Sequence, residues 1–379
     1  MRRARSPYVE NLHRMVIGSG GYFNAHLHLD RAGTYDATLK LLGLGNDSAS
    51  HLSLSKKHSI IPLIHASDCY EPRQLEQRVQ GIVDLLIANG TTRADTVVDV
   101  TADRVGLTAL ESLGRIRERM KGKLDLRLAA YSPLGFRDDE PRRWSLLEES
   151  AAIADFIGGL PERDDQADYP EHIGYDVCCR RLLELSARLG KAIHIHVDQL
   201  NHPSDNGAER VVRLVREMGL GVPRGQEPKI WLIHVISPST YDEARFQRLL
   251  TELASLNIGV ICCPSAALSM RQIRPTLTPT FNSIARVLEM LAAGVQVRIG
   301  SDNLCDITSP AGTVDLMDEL FVLANAVRFY DSEVLALIAA GKPLPEAARL
   351  RVADHLVHDQ AHVARIAEKL YTPDKSIPG

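Results

Sequence analysis

The 379-residue chain lacks any run of about 18 apolar residues, which argues against a membrane-spanning helix. It also lacks an excess of positive charge: 44 Lys and Arg stand against 48 Asp and Glu, a formal net charge of -4. Without a positive field there is little to gather a phosphate backbone or an anionic membrane, so neither is expected as a partner. Arginines stand at positions 2, 3 and 5, yet no apolar leader stretch follows them, and a cytoplasmic location is expected. The cysteines, Cys69, Cys178, Cys179, Cys262, Cys263 and Cys305, form no C-x-x-C pair and no secreted-scaffold spacing. Reduced, mostly structural thiols are the expectation, even for Cys262, Cys263 and Cys305 near strand ends. No low-complexity tract or internal sequence repeat stands out. What remains, 45% hydrophobic and 24% charged residues, is an ordinary globular composition with a sizeable core.

Short β-branched or apolar runs alternate with helical stretches, the pattern of a parallel sheet. The runs fall at residues 22–30, 94–101, 124–132, 155–162, 192–199, 230–237, 258–264 and 295–303. Helices are expected between them at Gln74–Asn89, Leu107–Met120, Tyr175–Leu189, Ala208–Met218, Tyr241–Leu256 and Ile284–Ala293, several followed by glycine. Eight such units close into a (β/α)8 TIM barrel, whose chemistry sits at the C-terminal ends of the strands. The longest connection, residues 31–73, is of a length that suits a cover over the site. After the eighth strand the chain reads as helix at Val314–Ala326, Ser332–Ala340, Pro345–Val357 and Gln360–Leu370, with no strand-rich tail. The expected division is a lead-in at 1–21, a barrel at 22–313 and a helical extension packed on it at 314–379.

The first strand ends in Asn24-Ala25-His26-Leu27-His28, and residues two apart on a strand share a face, so both imidazoles point into the barrel. The fifth carries His194-Ile195-His196, the sixth ends in His234, and the eighth in Gly300-Ser301-Asp302-Asn303. Four strand ends thus deliver histidine or carboxylate to one mouth, which core packing does not explain, because unpaired polar groups are costly there. Three histidines and an aspartate make an N/O site for one divalent ion, Zn2+ first and Fe2+ second, with a position left for water. Such an ion lowers the pKa of its water to about 7 and supplies hydroxide at neutral pH. Asp302 could orient or deprotonate that water, and His234 could polarise the substrate.

This order of residues resembles the amidohydrolase superfamily, and the wording resembles its cytosine deaminase branch and the related triazine aminohydrolases. The shared features include Asn89-Gly90-Thr91-Thr92, Val98-Asp99-Val100, Leu126 to Tyr131, and Gly300-Ser301-Asp302-Asn303 followed by Pro310-Ala311-Gly312, across roughly residues 22–325. The resemblance implies His26, His28, His196 and Asp302 as metal ligands, His234 as a catalytic histidine and His194 behind them. His196 is preferred to His194 as the ligand because it stands nearer the strand's C-terminal end.

The departures are as informative. Cytosine deaminase-like enzymes carry a glutamate three residues after the strand-five ligand, where it shuttles protons to the leaving nitrogen; here Gln199 stands there and cannot act as acid or base. The glutamine expected after strand three is replaced by Tyr131-Ser132-Pro133-Leu134, which argues against cytosine itself. The small β-sandwich of many relatives is expected to be missing. Glu162 could replace the missing carboxylate, although a solvated loop residue is the plainer reading. Asp198 is a second candidate of opposite strand parity. Asn303 and Arg271 are expected near the substrate; His51, His58 and His65 in the long connection could meet a substrate as a lid, although loop histidines that simply face water are the plainer reading. His355, His358 and His362 form a surface stripe on one helix face.

The expected reaction is attack of metal-bound hydroxide on an amidine or amide carbon of a small, nitrogen-containing, cyclic substrate, breaking a C–N bond. Deamination is the first form and ring-opening amide hydrolysis the alternative; a metal-binding barrel without turnover is a third reading. A homo-oligomer is compatible with all three.

Overall fold

A computed structural model describes residues 6–45, 48–270 and 284–371. The strands are β1 (Tyr22–Leu27), β2 (Thr91–Asp99), β3 (Asp125–Tyr131), β4 (Phe156–Gly159), β5 (Ile193–Val197), β6 (Ile230–His234), β7 (Gly259–Cys262) and β8 (Val297–Ile299). They lie in sequence order, every neighbour parallel. A parallel bridge from Leu27 to Asp302 joins the last strand's end to the first and closes the barrel. Among the described residues there is no second sheet, and no helix is long and apolar enough to cross a membrane.

Alternation on each strand separates two cores. On β5, Ile193, Ile195 and Val197 face the helices while His194 and His196 face inward, paired in register with the inward Trp231 and Ile233 of β6. On β1 the inner set begins as Phe23 and Ala25, yet Leu27 and Leu29 belong to the outer core. The β1–β2 register slips between Asn24 and Leu27, and this irregularity turns His26 and His28 inward.

The seam between β8 and β1 is closed by direct backbone approach and hydrogen bonds. Asn24 Nδ2 donates to Ser301 Oγ at 2.8 Å, the Ser301 N–H donates back to Asn24 Oδ1 at 3.0 Å, and the Asp302 N–H donates to the His26 carbonyl at 3.0 Å. Gly300 makes this approach possible, because a Cβ there would lie 2.8 Å from His26 Cβ and 2.9 Å from its backbone nitrogen.

Several helices differ from the sequence expectation. Pro7–Gly18, inside the expected lead-in, is a helix capped by Ser6, and it buries Leu12 and Val16. The expected pair Pro345–Val357 and Gln360–Leu370 is one helix, Glu346–Tyr371, because the polar His358-Asp359 ends burial without breaking the backbone pattern. Leu316, Leu320, Val334, Leu335 and Val352 after β8 join the same core as the barrel helices.

The long first connection folds into helices Tyr35–Leu42 and Leu54–His65 with short 3-10 turns. The second helix lies over the mouth, where Lys57 Nζ donates to the Thr308 carbonyl at 3.0 Å and Ser55 Oγ meets Tyr169 Oη at 3.2 Å. At its far end His65 is buried between two carboxylates, Nε2 3.0 Å from Asp99 Oδ2 and Nδ1 2.7 Å from Asp103 Oδ2. Burial alone would lower its pKa, but the hydrogen bonds to Asp103 and Asp99 outweigh this and raise it to about 9.

Gly300→Ala is expected to cost about 1–3 kcal/mol in denaturant unfolding, whereas Gly114→Ala, in a helix with open space at its Cβ, costs nothing or stabilises. The raised pKa of His65 contributes stability, on the order of 3 kcal/mol, that is fully present below pH 6.5 and is lost as pH rises through about 9. Unfolding measured from pH 6 to 10 is expected to show that loss in the wild type and to lack it in His65→Gln.

Candidate metal centre

Four buried side chains from three strand ends meet at the mouth: His26, His28, His196 and Asp302, none more than 4% exposed, with one ligand atom from each within 4.8 Å of all the others. His26 Nε2 and His196 Nε2 are 3.1 Å apart, and Asp302 Oδ1 lies 3.4 Å from His26 Nε2 and 3.2 Å from His28 Nε2. Ligands held about 2.0–2.2 Å from a common tetrahedral ion stand at about this mutual spacing.

The charge states suit an ion as well. Burial lowers the pKa of His28 to about 3, aided by Arg31, and drives that of His196 well down, so both rings are neutral at pH 7. Burial alone would raise Asp302, but hydrogen bonds from His26 and His28 outweigh it and hold the carboxyl well below its ordinary range. His196 Nδ1 lies 3.0 Å from the Gly159 carbonyl, which fixes the tautomer that leaves Nε2 as a ligand. Neutral imidazoles beside an ionised carboxylate are the state a divalent ion requires, so the residues fit one.

His234 stands beside this group, its ring centroid 5.6 Å from that of His196 and 6.3 Å from that of His26. Strand parity would turn it outward, since Trp231 and Ile233 are the inward residues. Left-handed backbone at His234 (φ 77°) and Val235 (φ 51°) rotates it into the mouth instead. Such conformations cost of order 1–3 kcal/mol each in a residue with a side chain and cluster at functional sites. Burial lowers the pKa of His234 to about 4.

Of the two strand-five histidines, His194 lies deeper, its ring 4.4 Å from Phe156, and takes no part in the four-atom group. Gln199 and Asn303 both line the cavity above the group, and Asn303 Nδ2 donates to Asp306 Oδ2 at 2.5 Å. Glu162 is no solvated loop carboxylate: it sits half-buried behind Gln199, accepting from Gln199 Nε2 at 2.8 Å. Burial, then Asp205 and Asp198, push its pKa well up. Asp198 faces away from the cavity and accepts the Ala208 N–H at 3.1 Å. Arg271 lies outside the described residues. Cys262 and Cys263 are buried, Cys305 is exposed, and none joins the four-atom group.

Sequence reasoning gave no role to Arg31, Tyr131, Leu54, Leu160 and Met270, which also line the cavity, and underrated His58. The Tyr131 ring lies 5.3 Å from His196 and 5.7 Å from His28. The Arg31 guanidinium contacts His28 Nδ1 and lies 3.5 Å from Asp99 Oδ2. Arg31 and Tyr131 stand at or just past strand ends, the one signal that could have marked them. His51 is exposed, as expected, but His58 reaches the cavity and His65 is buried.

No family model matches the chain. It is 28% identical over 283 residues to an uncharacterized protein of Haemophilus influenzae, covering 73% of this chain and 92% of that one. It is 24% identical over 281 residues to a pterin deaminase of Rhizobium rhizogenes, covering 73% of this chain but 57% of that longer protein. Among solved structures, 5-methylcytosine deaminase from Klebsiella pneumoniae matches with a TM-score of 0.70 at 22% identity, over 85% of this chain and 78% of that one. N-isopropylammelide isopropylaminohydrolase from Burkholderia multivorans matches at 0.63 and 20%, over 88% and 82%. Atrazine chlorohydrolase from Arthrobacter aurescens, complexed with zinc, matches at 0.54 and 13%, over 85% and 71%. The resemblance first carried by a handful of strand-end residues thus extends to the whole barrel: the chain shares its fold with 5-methylcytosine deaminase and N-isopropylammelide isopropylaminohydrolase.

Proposed function

We propose that this chain is a metal-dependent hydrolase that breaks a C–N bond in a small, nitrogen-containing, cyclic substrate, with the chemistry in the barrel of residues 22–313. The observation that carries the reading is the convergence of four buried ligand atoms from β1, β5 and the end of β8. Similarity to a pterin deaminase, and in fold to deaminases and aminohydrolases of ring compounds, supports it.

His26, His28, His196 and Asp302 would hold one divalent ion, Zn2+ first, which would supply the Lewis acidity that makes water nucleophilic at neutral pH. Asp302 accepts the proton that water releases and passes it to the leaving nitrogen. His234, turned toward the same point, hydrogen-bonds the atom on which negative charge develops. Tyr131, Leu160 and Leu54 supply apolar walls that keep bulk water away. Gln199 holds the substrate and moves no proton.

That last feature favours ring-opening amide hydrolysis as the second reading, since a single carboxylate then serves both proton transfers. Ammonia in the products marks deamination, and a new carboxylic acid without ammonia marks ring opening.

The purified chain supplied with Zn2+ is expected to bind about one ion per chain, and Asp302→Ala and His196→Ala to lose both the ion and turnover of aminated heterocycles and cyclic amides. Failure of the wild type to take up zinc or iron overturns the mechanism. His234→Ala is expected to keep the ion yet lower kcat by roughly 10²–10³-fold, the effect of losing one donor to a developing charge.

A further inference from the structure

The carboxylate expected beside the strand-five ligand has not vanished from the fold; it approaches from the neighbouring strand. Glu162 sits on the short 3-10 turn Pro161–Asp164 that follows β4. The turn is pinned by the Phe136 N–H donating to Asp164 Oδ1 at 2.7 Å and by the Arg163 N–H donating to the Leu160 carbonyl at 3.0 Å. From there Glu162 meets Gln199 twice: Oε2 accepts from Nε2 at 2.8 Å, and Oε1 accepts from the Gln199 backbone N–H at 3.4 Å.

Glu162 does not line the cavity, whereas Gln199 does. The Glu162 oxygen that accepts from Nε2 holds the amide NH2 toward itself and fixes which way the amide faces. The atom of Gln199 left without a hydrogen bond from the described residues is its carbonyl oxygen. Burial and the nearby Asp205 and Asp198 outweigh the two N–H donors of Gln199 and push Glu162 toward its neutral form, in which Oε2, as the carbonyl oxygen, still accepts from Gln199 Nε2. Only a Glu162 that donated its O–H to the Gln199 oxygen would turn the amino group into the cavity, and in the observed geometry both of its oxygens face N–H groups of Gln199.

Building on the hydrolase reading, we propose that Glu162 is a positioning residue that locks Gln199 with its carbonyl oxygen toward the substrate, so that the site selects rings presenting an N–H donor, of the lactam or cyclic-ureide type. A bare ring nitrogen facing the same oxygen would set acceptor against acceptor and be rejected. A carboxylic acid at position 199 could donate to such a nitrogen; the locked amide cannot.

The test reads the lock and the selectivity separately on the full chain. In the zinc-supplemented protein labelled with 15N-glutamine, the Gln199 side-chain signals are identified by their loss in Gln199→Glu. Slow hydrogen exchange of that NH2 in the wild type, accelerated to the rate of an exposed glutamine in Glu162→Leu, is the expected result. Should Glu162→Leu fail to fold, Glu162→Gln serves, its one remaining acceptor giving intermediate protection. Fast exchange in the wild type, or no change on substitution, overturns the lock, as does an amino group found turned into the cavity by neutron diffraction.

Calorimetric binding of uracil and 1,3-dimethyluracil, the same ring with and without N–H groups, reads the selectivity. Uracil is expected to bind about tenfold more tightly in the wild type, a preference reduced severalfold in Gln199→Leu. A preference unchanged by that substitution reflects methyl bulk alone and overturns the recognition claim, as does binding of neither probe. Failure of the hydrolase reading shows separately, as absent metal uptake or absent turnover with the Gln199 amide still protected.

Discussion

The mouth of this barrel depends on how its last strand closes on its first. Main chain at Gly300 and Asp302 packs directly against His26, and Asn24 and Ser301 exchange hydrogen bonds across the same seam. Two ligands that are 276 positions apart in the chain, His26 and Asp302, are placed side by side by backbone contact rather than by adjustable side chains. The remaining ligands follow: a slip of register brings in His28 beside His26, and the inward face of β5 brings in His196.

Stability at the mouth is subordinate to this arrangement. Three imidazoles and a carboxylate lie where a hydrophobic core would otherwise be, and His234 and Asp302 hold left-handed backbone that only glycine adopts freely. Beneath them, Asp99 connects Arg31 to His65, so the charge that contacts His28 is tied to the anchor of the covering helix. Buried charges of this kind persist where partners surround them, and each carboxylate here has at least one.

The strands and the metal group were legible because each rests on short-range periodicity. Strands buried on both faces read as apolar runs bounded by turn residues, and H-x-H places two rings on one face whatever the global fold. The expected strands overrun the observed ends, as 295–303 against Val297–Ile299, because the expected run took in the polar residues Gly300 to Asn303, where the backbone has already turned into the mouth. The helix Pro7–Gly18 carried its own signals, a serine cap and a proline in the first turn, which went unread in a segment taken as a lead-in. What sequence could not carry was any feature set by tertiary contact. The pairing of Glu162 with Gln199 joins a turn to a different strand, His65 finds its carboxylates only when the first connection folds over β2, and the inward turn of His234 depends on two φ angles that no side-chain type announces.

The helix Leu54–His65 is attached to three different βα loops, through Thr308, Tyr169 and Asp103, while Leu54 and His58 beneath it form part of the cavity wall. The four ligand residues beneath it are at most 4% exposed. Displacing this helix would therefore mean breaking ties to all three loops together, contacts that lie away from the metal ligands themselves.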